Sequence, residues 1–165
     1  MTLPPWAVAG PERRAHVERV AALIDQWAVA MRVPGRERSR WAKAAWLHDA
    51  LRDAPAADEL EHGPASADRA AGEGESDRGV LDAVRYHSLG YAGWDDVGKM
   101  LYLGDYLEPG RKFERETRAA LAARVPAARD AVLLEVARRR IEWTVQSNWP
   151  LSTETVEFWN SLVGP

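Results

Sequence analysis

Apolar residues recur at three- and four-residue intervals along most of this chain, and no stretch alternates apolar with polar at the two-residue period of a strand. That rhythm commits the chain to helices. Each helix carries one apolar stripe, so the helices must pack on one another. From about Glu12 to Met31 the stripe is His16, Val20, Leu23, Ile24 and Trp27, and Pro34-Gly35 then turns the chain. Trp41, Ala44, Ala45, His48 and Leu51 mark a second helix over about Glu37 to Leu51. An irregular polar stretch from Arg52 to Gly63 precedes Pro64, which suits the first position of a short Ala-rich helix to about Ala71. Val80, Leu81, Val84 and His87 predict a helix over Asp77 to His87. Val97, Leu101, Gly104 and Asp105 predict one over about Trp94 to Leu107, broken by Pro109-Gly110. Two more are predicted over about 111–124 and 126–148, the second with Leu133, Val136, Ala137, Ile141 and Thr144 inward. Ser152 is the predicted N-cap of a last helix ending near Leu162. The expectation is an all-α fold. One helical bundle spans 1–165, its core over about 12–111 and its C-terminal helices over about 112–162.

Composition removes several kinds of chemistry. Cysteine is absent, which excludes disulfides, a thiolate nucleophile and thiolate-bound metals. The net charge of -3 comes from well-mixed acidic and basic residues, so nucleic acid is not the expected partner. No basic start leads into an apolar run, and no apolar stretch approaches the length of a membrane span. The expected location is the cytoplasm, with no membrane partner. The Ala-rich helices also offer faces on which a second copy of the chain could pack as a homodimer.

The four histidines, His16, His48, His62 and His87, carry the functional signal. Three lie on inward stripes, and Asp105 shares the stripe of its own helix. An imidazole taken out of water needs partners for both ring nitrogens, and a carboxylate there is costlier still unless paired or metal-bound. Asp49 follows His48 directly. Adjacent helix positions point about 100° apart, so both reach one site only at the rim of the stripe. These residues come from five separate segments, as expected of a site assembled inside a bundle. Without cysteine, a nitrogen and carboxylate set suits iron, manganese, zinc or a similar ion. Six protein ligands exceed what one catalytic ion with open positions uses. They suit two ions sharing a bridging carboxylate.

The ordered pattern resembles the HD-domain superfamily of metal-dependent phosphohydrolases, and within it the YqeK-like symmetrical diadenosine tetraphosphate hydrolases. The resemblance rests on Arg14-Ala15-His16 with Val20, on Ala45-Trp46-Leu47-His48-Asp49-Ala50-Leu51-Arg52, and on His62-Gly63-Pro64-Ala65. It continues through Ala83-Val84-Arg85-Tyr86-His87-Ser88, through Tyr102-Leu103-Gly104-Asp105-Tyr106-Leu107-Glu108-Pro109-Gly110-Arg111, and into the tail from Thr155 to Asn160. It implies an HD-domain helical fold with two divalent ions, iron first and manganese, cobalt or zinc as alternatives. His16, His48, Asp49 and Asp105 would hold one ion and His62 and His87 the other, with Asp49 bridging. The implied substrate is a small nucleotide, diadenosine tetraphosphate, cleaved to two ADP. The family usually carries Lys at the positions of Arg52 and Tyr106, and the second change removes a cation beside the site.

Arg52 and Arg111 are the candidate phosphate clamps, because guanidinium forks match phosphoryl oxygens. Together with Asp49 they form the expected catalytic set. Glu108 is expected to be a structural partner, for instance to Arg111. Asp53 is either a proton donor to a leaving group or a surface charge. Tyr86, Tyr91, Trp94 and Tyr106 are expected mainly in packing, with adenine stacking as their other use. The competing readings are an HD-type hydrolase acting on another nucleotide, such as a nucleotidase, and a non-enzymatic nucleotide-binding protein.

Overall fold

Side-chain caps set three of the helix starts in the computed structural model, which describes residues 1–55 and 58–164. Among the described residues there are seven helices and no strand. Helix α1 (Pro11–Ala30) opens on a proline, whose missing N–H is no loss in a first turn. Helices α2 (Gly35–Leu47) and α3 (His62–Gly72) follow. The Asp77 side chain accepts the Val80 N–H to start α4 (Arg78–Tyr86), and Asp95 accepts the Val97 N–H to start α5 (Asp96–Leu107). The long α6 (Arg115–Gln146) comes next. Ser152 then accepts the Thr155 N–H and starts α7 (Thr153–Val163) as predicted.

Several boundaries differ from the sequence reading, among them the start of α6, which is Arg115 and not 111. The helix α2 stops at Leu47, so His48 to Leu51 form a turn. Helix α3 begins at His62, with Pro64 inside its first turn, where a backbone N–H has no helical acceptor. The predicted irregular stretch contains Ala56 and Ala57, which lie outside the described residues. The break predicted at Pro126 falls two residues later, where non-helical backbone at Ala128 (φ -145, ψ 45) kinks α6 into two helical segments. Pro126 cannot donate to the Ala122 carbonyl four residues back. The Trp27 indole Nε1 donates to that carbonyl instead, at 3.0 Å, and so pins α1 to α6.

Helix α5 is the centre of the fold. Only Asp96, Lys99 and Tyr106 of it lie outside the core. It packs against α1, α2, α4 and α6, and α3 leans on α4. Gly104 lets α5 approach α1, since a Cβ there would stand 2.7 Å from the Ile24 side chain. Trp94, Tyr102 and Phe158 meet with ring centres 5.2–5.6 Å apart and fasten α7 onto α5. Arg40 of α2 reaches both N-cap carboxylates, Asp77 at 2.7 Å and Asp95 at 2.9 Å, which ties the starts of α4 and α5 together. No helix of the described residues is long and apolar enough to cross a membrane.

Candidate metal centre

The four histidines and two aspartates converge in the interior, all of them buried. His16 projects from the middle of α1 and Asp105 from the last turn of α5, where the approach at Gly104 brings the two helices together. His48 and His87 are the C-cap residues of α2 and α4. Each turns its Nδ1 back onto a free carbonyl of its own last turn, His48 to Ala45 and His87 to Val84, both at 2.7 Å. His62 makes a similar contact with the Asp58 carbonyl at 2.9 Å. Gly63 brings His62 to His87. A Cβ on Gly63 would lie 2.9 Å from the Val84 and Arg85 carbonyl oxygens, so only glycine lets the start of α3 sit on the end of α4.

Three rings therefore donate Nδ1–H to carbonyls, so each Nε2 can offer a lone pair to an ion once it gives up any proton shared with the facing carboxylates. All four Nε2 atoms face one centre. His62 Nε2 and His87 Nε2 stand 3.0 Å apart, and His16 Nε2 and His48 Nε2 3.4 Å apart. Asp49 Oδ2 lies 3.6 Å from His16 Nε2 and 3.8 Å from His48 Nε2. The other oxygen, Oδ1, lies 3.1 Å from His62 Nε2 and 3.4 Å from His87 Nε2. Asp105 Oδ1 joins the first group, 3.0 Å from His16 and 3.7 Å from His48. Donors bound to one ion at about 2.0–2.2 Å stand roughly 3–3.6 Å from each other, so these spacings fit ion binding. The sets His16, His48, Asp49 and Asp49, His62, His87 each have ligand atoms within 4.8 Å of one another, as does His48, His87, Asp105.

Without an ion, protons and arginines balance the charge. Burial opposes the charge on His16, but Asp105 and Glu108 outweigh it and raise its pKa to about 9. Burial likewise opposes the charge on His62, yet Asp49 raises it. Burial lowers His87. Burial would raise Asp49, but the His48 charge and the hydrogen bonds with His62 and His87 bring it well below the usual carboxylate range. Asp105 falls in the same way beside His16, His48 and Arg111.

His16 differs from the other three rings. Its Nδ1 faces the carboxylate of buried Glu108 at 3.2 Å, and Arg19 Nε and the Gly110 N–H hold that carboxylate at 2.6 and 2.7 Å. Glu108 is thus a structural partner, as expected, but of His16 and Arg19. Arg111 Nε stays 4.0 Å away. A carboxylate behind a ligating imidazole fixes its tautomer and raises its basicity.

The predicted arginines separate. Arg111 borders the centre, donating to Asp105 Oδ1 at 2.9 Å and to the Asp105 carbonyl at 2.8 Å. Arg52 lies at the rim, its Nη2 on Glu59 at 2.8 Å. Asp53 accepts the Gly10 N–H at 2.8 Å. Tyr86 and Tyr91 stack on each other at 4.2 Å, and Trp94 belongs to the core. Sequence reasoning passed over Arg13, whose Nη1 donates to Asp49 Oδ2 at 2.7 Å, and over Arg140, whose Nη2 stands 3.9 Å from Asp105 Oδ2. The signals were present. Arg13 and Arg19 stand three residues either side of His16, and Arg140 falls on the inward stripe of Val136 and Ala137. Arg118 and Arg140 flank the Tyr106 ring.

Residues 13–129 match the family model for the HD domain. The chain is 30% identical over 106 residues to a Bacillus subtilis protein named symmetrical bis(5'-nucleosyl)-tetraphosphatase, covering 64% of this chain and 56% of that one. A Halalkalibacterium halodurans protein of the same name is 28% identical over 107 residues, covering 64% and 56%. One from Staphylococcus aureus is 27% identical over 103 residues, covering 62% and 53%. The chain spans about half the length of these curated relatives. Its fold is similar to that of a predicted HD superfamily hydrolase involved in NAD metabolism from Clostridium acetobutylicum. That crystal structure has a TM-score of 0.81 and 23% identity, covering 93% of this chain and 90% of the other. With the helices of the described residues enclosing a buried histidine and aspartate centre, and a family match over most of its length, the chain belongs to the HD-domain family.

Proposed function

We propose that this chain is a metal-dependent phosphohydrolase that cleaves a phosphoanhydride in a dinucleoside polyphosphate, splitting diadenosine tetraphosphate symmetrically into two ADP. The observation that carries the reading is Asp49, whose two oxygens face different histidine pairs. His16, His48, Asp49 and Asp105 would hold one divalent ion, and His62, His87 and Asp49 a second. Iron is the first candidate, with manganese, cobalt and zinc as alternatives for such donors. Bound there, two ions would supply Lewis acidity and a water of lowered pKa. The names of the relatives support a dinucleoside tetraphosphate as the substrate.

The chain's own residues have defined tasks in this reading. A phosphoanhydride repels nucleophiles through its negative charge, so cations must face it. Arg111 at the Asp105 side and Arg52 at the rim offer forked donors to phosphoryl oxygens. Arg52 would exchange Glu59 for substrate. Arg13 holds Asp49 Oδ2 and sets how that carboxylate is presented. Glu108 keeps the His16 Nδ1 occupied and its Nε2 turned to the centre. Burial strengthens the contacts of Asp49 and Glu108 by excluding bulk water.

An anaerobic screen with Fe²⁺, Mn²⁺, Co²⁺ and Zn²⁺ tests the proposal, with products separated by chromatography. Diadenosine tetraphosphate giving ADP alone is the expected result. Rapid hydrolysis of nucleoside monophosphates with no dinucleotide turnover would replace it with a nucleotidase. Tight nucleotide binding without hydrolysis under any metal would make the chain a binding protein.

A further inference from the structure

Three arginines gather at the C-terminal end of α5. Arg111 grips Asp105. Arg118 and Arg140 both come from α6. The Arg118 guanidinium lies 4.0 Å from the centre of the Tyr106 ring, and that of Arg140 lies 4.4 Å from buried Tyr102 and 6.0 Å from Tyr106. Burial, and then the charges of Arg111 and Arg140, hold Arg118 below its ordinary pKa, which records how close the three cations are.

The protein supplies few anions for this cluster. Arg118 donates to the main-chain carbonyls of Phe113 and Tyr106, which are neutral. Glu114 acts on Arg118 electrostatically, but its carboxylate pairs with Arg139 at 3.5 Å. Arg140 meets Asp105 Oδ2 only at 3.9 Å, beyond hydrogen-bond distance. Its buried Nη1 has no hydrogen-bond partner among the described residues. A buried guanidinium donor without an acceptor is costly, and here it lies beside a carboxylate of the candidate metal centre.

We propose that Arg118 and Arg140, with Arg111, form a phosphate pocket that receives the non-reacting phosphates of the nucleotide, those that leave with ADP. Phosphate oxygens give three close guanidinium groups the shared anion they lack, in the forked geometry that guanidinium prefers. The Tyr102 and Tyr106 faces hold the Arg140 and Arg118 planes in place before the ligand arrives. Arg140 lies beyond the 13–129 segment matched by the family model, so the pocket depends on a part of α6 outside that match. The nucleotide class rests on the function proposed above. The anion pocket itself rests on the arginines.

Calorimetric titration of the metal-loaded protein with ADP, inorganic pyrophosphate and adenosine tests this, using wild type, Arg140→Met, Arg140→Lys and Arg118→Met. Arg140→Met is expected to weaken ADP and pyrophosphate about 10- to 100-fold, the range for lost charge-assisted bonds. Arg140→Lys should keep part of the affinity, and metal content should stay at the wild-type level. Unchanged ADP and pyrophosphate affinity in the folded variants overturns the pocket, whatever happens to thermal stability. So does a loss that vanishes once metal content is restored. If Arg140→Met fails to fold, Arg140→Lys and Arg118→Met decide on the same criterion. Weakened pyrophosphate binding in a protein that hydrolyses no dinucleotide would keep the pocket and remove the proposed reaction. Dinucleotide hydrolysis with intact ADP affinity in the variants would do the reverse.

Discussion

His62 and His87 point their Nε2 atoms at each other from 3.0 Å while the Nδ1 of each ring is held by a main-chain carbonyl. Two lone pairs at that distance repel unless a proton or a metal ion lies between them. Gly63 sets the distance, because its Cα passes the Val84 and Arg85 carbonyls too closely for any side chain. Gly63→Ala should push the start of α3 off α4 and separate the two rings. The expected result is a fall from about two bound ions to about one per chain, read by elemental analysis, although no ligand has been changed. Full metal content in the folded variant would refute the geometric role given to Gly63.

Metal loading should release protons. Burial alone would keep His16 neutral, but Asp105 and Glu108 raise its pKa to about 9, so the metal-free ring is charged at neutral pH. An ion can use His16 only after that proton leaves. Apparent affinity should therefore fall as the pH drops below about 9, by up to about tenfold per unit from this group alone. Titration calorimetry in buffers of different ionisation enthalpy reads the proton directly. Metal binding at pH 7 with no proton release would contradict it.

The bond from Trp27 to Ala122 should matter to stability more than to chemistry. Trp27→Phe keeps most of the apolar volume but leaves the Ala122 carbonyl without its donor, since Pro126 has none to give. The expected loss is about 1–3 kcal/mol in denaturant unfolding, the range for a buried polar group left unpaired. Metal content should not change. A stability within error of wild type would mean that water replaces the indole without loss.

Acid should loosen the start of α4, where Arg40 holds Asp77. Its hydrogen bond to Asp77 lowers that carboxyl to about 2, against burial, from an ordinary value of 3.8. A depressed carboxylate contributes stability above its unfolded pKa and loses it as the pH falls, here between about 4 and 2. Arg40→Met should cost about 1 kcal/mol at pH 7. Unfolding curves should show the gap between variant and wild type closing toward pH 2. A gap that stays constant with pH would place the effect in packing instead.

The helices were legible because their apolar stripes are long and regular, and Asp105 on such a stripe marked the site. The ends of helices were less so. His48 reads as an inward position on a helix running to Leu51, whereas its ring, like that of His87 at the expected end of α4, caps a carbonyl of a helix that has just stopped. Pro126 marked the kink at Ala128 to within two residues, but the donor that meets the freed Ala122 carbonyl, Trp27, is far away in sequence. Arg13 and Arg140 were passed over because an arginine near a helix face is usually solvated, and only the fold shows which ones turn toward a carboxylate. The partner of Glu108 could not be read from its spacing to Arg111. His16 and Arg19 meet it from a helix 92 and 89 residues away.

Asp49 offers one oxygen to His16 and His48 and the other to His62 and His87. A single carboxylate cannot answer to two occupants independently. An ion seated on one side would polarise and orient the oxygen presented to the other, and by linkage the second would alter the hold on the first by the same factor. The two positions would then fill as coupled sites, and their titration with metal would depart from two independent saturation curves.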